Sequence, residues 1–192
     1  MMNFTSSKDY ENKLKSQLES FLNKSEDWKP EDFLSIKGYL FQINNHISYL
    51  LGKAFLDALG VSNDSFKYTD MNNNGYDLEI FEDDKLIIGE IKGNVPCGKN
   101  NTYGAQQKDK IKENLDCLND KSKKRKSKLT IEQFDEAYKF LILLDNNKEA
   151  IKNLEKNENK KSTKYLLHYP NEISWHCFKK DMINIIFIDL IR

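Results

Sequence analysis

Three side chains in the stretch NNNGYDLEIFEDDKLIIGEIKGN, residues 72–94, are of the types that hydrolyse esters: Asp77, Glu90 and Lys92. Glu90 and Lys92 stand two residues apart at the end of an apolar run. On an extended strand their side chains leave one face while Ile91 points to the other. Asp77 opens the preceding run. With a turn centred on Asp83 and Asp84, residues whose numbers sum to about 167 oppose one another, which sets Asp77 across from Glu90. Two carboxylates held that close repel unless a cation lies between them, a proton is shared or both turn into water. A divalent ion is the natural neutraliser, and Mg²⁺ prefers carboxylate and water oxygens, often completed by phosphate. A lysine beside the pair can hold a water and offset the charge that builds on phosphorus when a phosphodiester is attacked. The plainer alternative is a chance E-x-K pair and an acid that merely leaves a turn.

The elements that must position these groups follow from hydrophobic period. YDLEIF (76–81) alternates apolar and acidic residues, EDD turns, and KLIIGEIK (85–92) is nearly continuous in apolar residues, which predicts a hairpin whose second strand lies nearer the sheet centre. Upstream, Ile43, Ile47, Leu50, Leu51, Ala54, Phe55 and Ala58 form the apolar face of a helix over about 43–59, with Gly60 as its stop. An earlier helix is expected over 7–24, and Pro30 followed by two acids fits a first helical position. Downstream, the loop GNVPCGKNNT leads to a helix over about 105–118, with Ile111, Leu115 and Leu118 inward. AYKFLILLD (137–145) reads as an interior strand. EISWHCF (172–178) and INIIFIDLI (183–191) read as further strands, the second also readable as a short buried helix, and 153–164 as a solvated helix end or loop. The expected class is α/β, a mixed central sheet flanked by helices in a single domain, with a helical segment 1–40, a core 41–145 and closing strands in 146–192.

The chain has 192 residues, 30 of them Lys or Arg and 30 Asp or Glu, so its formal charge is zero. The distribution is uneven. Residues 1–91 carry 9 basic and 16 acidic side chains, net −7, whereas residues 92–128 carry 11 basic and 4 acidic, net +7. A polyanionic partner meets the local field rather than the total. Lys108 and Lys112 are four apart on the helix that follows Lys92 and share a face that can run beside a phosphate backbone. Lys99 and the run Lys123, Lys124, Arg125 and Lys126 add contacts further off, making affinity steeply salt-dependent without reading bases. Asn100 and Asn101 in GKNNTYG are chemically suited to base readout. A solvated loop is the bland reading of the basic run. Cys97, Cys117 and Cys177 have the spacing of neither a disulfide framework nor a zinc cluster, so a reducing, cytoplasmic setting is expected. His46, His168 and His176 are too scattered for a metal site, and Trp175 reads as core. The N-terminus is polar and no run approaches the roughly 20 apolar residues of a membrane span.

The motifs GYD, ending at Asp77, and GEIK, holding Glu90 and Lys92, resemble those of the PD-(D/E)xK nuclease superfamily, the fold of many type II restriction endonucleases. Tyr76 stands where that pattern has proline. The resemblance covers about residues 40–145 and implies a restriction-endonuclease-like sheet. It also implies that Asp77 and Glu90 bind Mg²⁺ with the Ile91 carbonyl as a further ligand, and that Lys92 positions water. Gln106 or Gln107, in YGAQQKDKI, fills the place of a glutamine found in some branches, and Gln107 is carried forward as the candidate. The upstream helix offers Asp57 as its only acid, with Asn44, Asn45 and His46 as other polar candidates. The leading expectation is a Mg²⁺-dependent endonuclease of double-stranded DNA, a homodimer that cuts both strands of a palindrome, with a DNA methyltransferase as the protective counterpart such a system needs. A non-catalytic DNA-binding module of the same fold and a Holliday-junction resolvase are the alternatives.

Overall fold

The computed structural model describes residues 12, 15, 16, 19, 30–62, 66, 75–93, 105–123, 127–144, 165–168 and 173–188. The expectations for residues 69–74, Cys97 and residues 145–164 lie outside these. Of the first expected helix, residues 12, 15, 16 and 19 are described, all helical and exposed. The chain divides into two compact units, Met1–Ile43 and Asn44–Arg192.

Helix α1 (Pro30–Leu59) runs 30 residues without a break, well beyond the 43–59 expected. Pro30 begins it where a missing N–H is no loss, and Gly38 and Gly52, each worth about 1 kcal/mol against Ala, do not stop it. Its C-terminus is a Schellman cap. Gly60, at φ 67°, donates to Asp57 O and Val61 N donates to Leu56 O, satisfying two carbonyls that the helix leaves bare.

The sheet has five strands, β1 (Leu78–Glu82), β2 (Lys85–Lys92), β3 (Tyr138–Leu144), β4 (Tyr165–His168) and β5 (Ile183–Ile188), in the order β1-β2-β3-β5-β4. β1 is antiparallel to β2 and the remaining pairs are parallel. The architecture is therefore α/β with a mixed sheet flanked by helices. A parallel β2–β3 pair needs a crossover, and α2 (Ala105–Asn119) and α3 (Ile131–Glu136) supply it. Thr130 begins α3 through a capping box, its hydroxyl accepting from Gln133 N while the Gln133 side chain accepts from Thr130 N.

Strand alternation sorts the core into two layers. On one face Leu78, Ile80, Ile87, Ile91, Phe140 and Ile142 pack with Leu51, Phe55, Leu56 and Leu59 of α1. On the other, Ile88, Leu141, Leu143, Ile185 and Phe187 pack with Ile111 and Leu118 of α2 and Phe134 of α3. β2 and β3 are buried on both sides, which is why they read as continuous apolar runs.

The late strands depart from expectation. Of the strand expected over 172–178, the described residues 173–178 do not extend as one: Trp175–Cys177 is a 3₁₀ turn, closed by Cys177 N donating to Ser174 O at 2.9 Å and by a Ser174 Oγ to His176 Nδ1 bond of 2.7 Å. Local side-chain bonding has outcompeted a ladder there. Trp175 packs edge-on against Tyr138 at the border of the first layer, in keeping with a core role. The strand beside β5 is instead the four-residue β4, too short to announce itself by period.

Asn184, on β5, is fully buried and ties the late elements together. Its Nδ2 shares its hydrogens among Lys179 O (3.0 Å), Lys139 O (3.3 Å) and Met182 O (3.4 Å), while Oδ1 accepts from Lys179 N (3.3 Å). With its oxygen so oriented, His168 Nε2 at 3.1 Å must be the donor, which fixes that tautomer. Asn184→Ala strips these partners inside the core and is expected to cost roughly 1–3 kcal/mol. A urea melt checks it; an unchanged midpoint removes the network from the stability of the fold.

Candidate active site

The hairpin register is the one the acids require. Leu78 pairs with Gly89 and Glu82 with Lys85, so extending the ladder by one residue sets Asp77 against Glu90. A two-residue turn holds that register: Asp83 and Asp84 have φ of 51° and 58°, as a type I′ turn demands, and aspartate is among the residues that tolerate it.

β1 ends its pairing at Leu78 opposite Gly89, two positions short of Ile91. The Asp77 carboxylate takes over, Oδ2 accepting from Ile91 N at 2.8 Å. Within a strand the N–H and C=O of one residue point to the same edge. The Ile91 carbonyl therefore faces the β1 side, next to the Asp77 carboxylate, while its side chain is buried in the α1 layer. Two carboxylates and one main-chain carbonyl of this kind match the hard oxygen donors that Mg²⁺ takes, so the donor set fits the ion. Among the described residues no group of three or more His, Cys, Asp or Glu side chains is placed to hold a metal; the set here contains two.

Glu90 forms the floor, only 2% exposed, in a face otherwise built from Ile88, Leu141 and Leu143. Asp77 and Lys92 are half-buried at its rim. Lys92 follows Glu90 on the same face. Gly93 then lets β2 pass under α1: a Cβ there would come within 2.7 Å of Ile47 Cγ2.

Tyr76, which replaces the expected proline, turns into the Glu90 face rather than away from it. It is buried, its hydroxyl donates to Cys117 O on α2 at 3.3 Å, and its ring lies near Phe134. Burial first, and then the negative charge of Glu90, push its phenol far above the ordinary value, so it stays a protonated donor.

α2 brings a row of residues over the same face. Gln107, Ile111, Asn114 and Leu118 recur at spacings of four, three and four, and Ile111, Asn114 and Leu118 are buried. Gln107 is half-buried on this inward row and Gln106 is exposed. Lys108 and Lys112 are exposed on the outer side. Lys110 pairs with Glu113 at 2.7 Å, both exposed, a contact worth little.

Lys123 is exposed in a 3₁₀ turn, Lys121–Lys123. Before it, Asp120 accepts from Ser122 N at 2.9 Å, and its hydrogen bonds to Ser122 hold its carboxyl below the usual range. Ser127 Oγ donates to Glu79 Oε2 at 3.3 Å, on β1 two residues from Asp77. Lys99, Asn100, Asn101, Lys124, Arg125 and Lys126 lie outside the described residues. Asp57 is exposed near the C-terminal end of α1. Ser62, just beyond it, bonds Glu82 at the hairpin turn, so Asp57 sits by the opposite end of β2 from Lys92.

Two residues escaped the sequence reading. Tyr76 registered only as a departure from a motif, and Asn114 carried a signal that was there to find, a polar residue in register with Ile111 and Leu118. No helix among the described residues is long and apolar enough to cross a membrane. Comparison of the chain with protein-family models, with curated proteins and with solved structures gave no match.

Proposed function

We propose that this chain is a Mg²⁺-dependent endonuclease of double-stranded DNA, of the type II restriction kind with a restriction-endonuclease-like core. The observation that carries it is the hairpin register, which opposes Asp77 to Glu90 with the Ile91 main chain and Lys92 alongside. Mg²⁺, when bound, supplies an activated water and charge neutralisation at the phosphate. Asp77, just before β1, and Glu90, on β2, would hold it, with the Ile91 carbonyl as a further donor. Lys92 holds the attacking water and offsets negative charge gathering on phosphorus. Lys108, Lys112 and Lys123 grip the backbone beside the site, and two copies about a twofold axis address the two strands. A cognate methyltransferase belongs to the same reading, since a cell holding a sequence-specific cutter needs its own sites protected.

One observation favours a second reading, a DNA-binding module without chemistry: Glu90 is almost wholly enclosed. Linear duplex DNA incubated with the protein in Mg²⁺ and in EDTA, beside Asp77→Ala, separates the two. Discrete fragments are expected from the wild type in Mg²⁺ alone. Intact DNA in every lane, with binding retained in EDTA, favours the module and ends the nuclease reading.

A further inference from the structure

Asn114 is an anomaly in its layer. The inward row of α2 that holds it is otherwise apolar where it is buried, and Asn114 is 6% exposed. Its Nδ2 is buried, and among the described residues it meets no hydrogen-bond partner. Leaving an amide donor unsatisfied costs roughly 1–3 kcal/mol, and a leucine at this place in the row would avoid the cost. Groups of that kind are kept where something else satisfies them in the working state.

The neighbourhood identifies the acceptor. The turn of α2 that Asn114 opens carries the Cys117 carbonyl, to which the Tyr76 hydroxyl donates. Tyr76 in turn is buried in the layer that Ile111 and Leu118 of α2 share with Ile88 and Leu141 of the sheet. Glu90 is the buried carboxylate of the described residues and belongs to the strand face that α2 covers. The geometry points to Asn114 as a positioning residue that donates to the Glu90 carboxylate when a divalent cation is bound, fixing which oxygen faces the ion. This rests on the metal-site reading of Asp77 and Glu90. A neutral amide suits the task, because it orients a carboxylate without cancelling the charge that attracts the cation, as a lysine would.

The test needs no DNA. Mn²⁺ is titrated calorimetrically into the full chain and into Asn114→Leu, and thermal unfolding of both is followed without metal. Asn114→Leu is expected to unfold at the same or a higher temperature while binding Mn²⁺ about 10–100-fold more weakly, the usual effect of losing a residue that orients a metal ligand. A merely structural asparagine gives the reverse, lower stability with unchanged affinity, and that result overturns the inference while leaving the cation site intact. If the wild type binds no Mn²⁺, the cation reading and this inference fall together. Should leucine not fit, Asn114→Met, with its adaptable side chain, carries the same expectation. Loss of the fold in both variants marks Asn114 as structural and overturns the assignment.

Discussion

Lys92→Ala is expected to keep the fold, bind Mn²⁺ and duplex DNA, and lose about 100–1,000-fold in single-turnover cleavage. The strand does not depend on this side chain. β2 is held by main-chain ladders to β1 and β3 and by the buried Ile87, Ile88 and Ile91, and Lys92 is its last residue, half-buried at the rim. On the proposed nuclease function its ammonium acts on charge that exists only as the phosphorus is attacked, so truncation is expected to lower the chemical step more than ground-state binding. Cleavage under saturating protein and a binding isotherm in Ca²⁺ separate the two effects. Full activity in this variant removes the lysine from the mechanism.

Glu90→Gln is expected to abolish metal-dependent cleavage and the stabilisation that metal confers, yet leave the metal-free protein at least as stable as the wild type. A carboxylate in a layer of Ile88, Leu141 and Leu143 is costly to bury, and glutamine keeps its shape without the charge. For the wild type, Mn²⁺ at about 100 times its Kd adds about 2.7 kcal/mol, read as a rise in unfolding temperature. Glu90→Gln should show no rise. A metal-free variant that unfolds well below the wild type points instead to a structural role for the charge, the outcome that the binding-module reading expects.

What the sequence made legible was local. The two-residue Asp83–Asp84 turn anchors a register that can be counted forward to Asp77 and Glu90, and the ladder follows that count. The interior strand β3 and the start of α2 at Ala105 were equally plain, because double burial leaves an unbroken apolar run and one-sided burial leaves a helical row, whereas the run that forms β5 also fitted a short buried helix. The misses have physical causes. Pro30 was read as a helix start, but its continuity with the helix at 43–59 was hidden because the apolar period was read only from Ile43, while Leu40 and Phe41 before it are exposed. Residues 172–178 have a strand's composition, but a Ser174–His176 bond accompanies a 3₁₀ turn at Trp175–Cys177. The helix α3 was overlooked although its capping box, Thr130 with Gln133, stands in the sequence. Asn114 needed the facing sheet to make its burial a question.

The compact turn at Asp83 and Asp84 bears on the order in which the molecule is built. Closing a hairpin takes microseconds, because few residues lose their freedom before the first pairings reward them. Bringing β3 alongside β2 must wait for the whole intervening crossover, a longer and slower search. The two acids, thirteen positions apart along the chain, are therefore expected to meet before the layer that encloses Glu90 forms, so that their mutual repulsion is met first in water, where it is weakest.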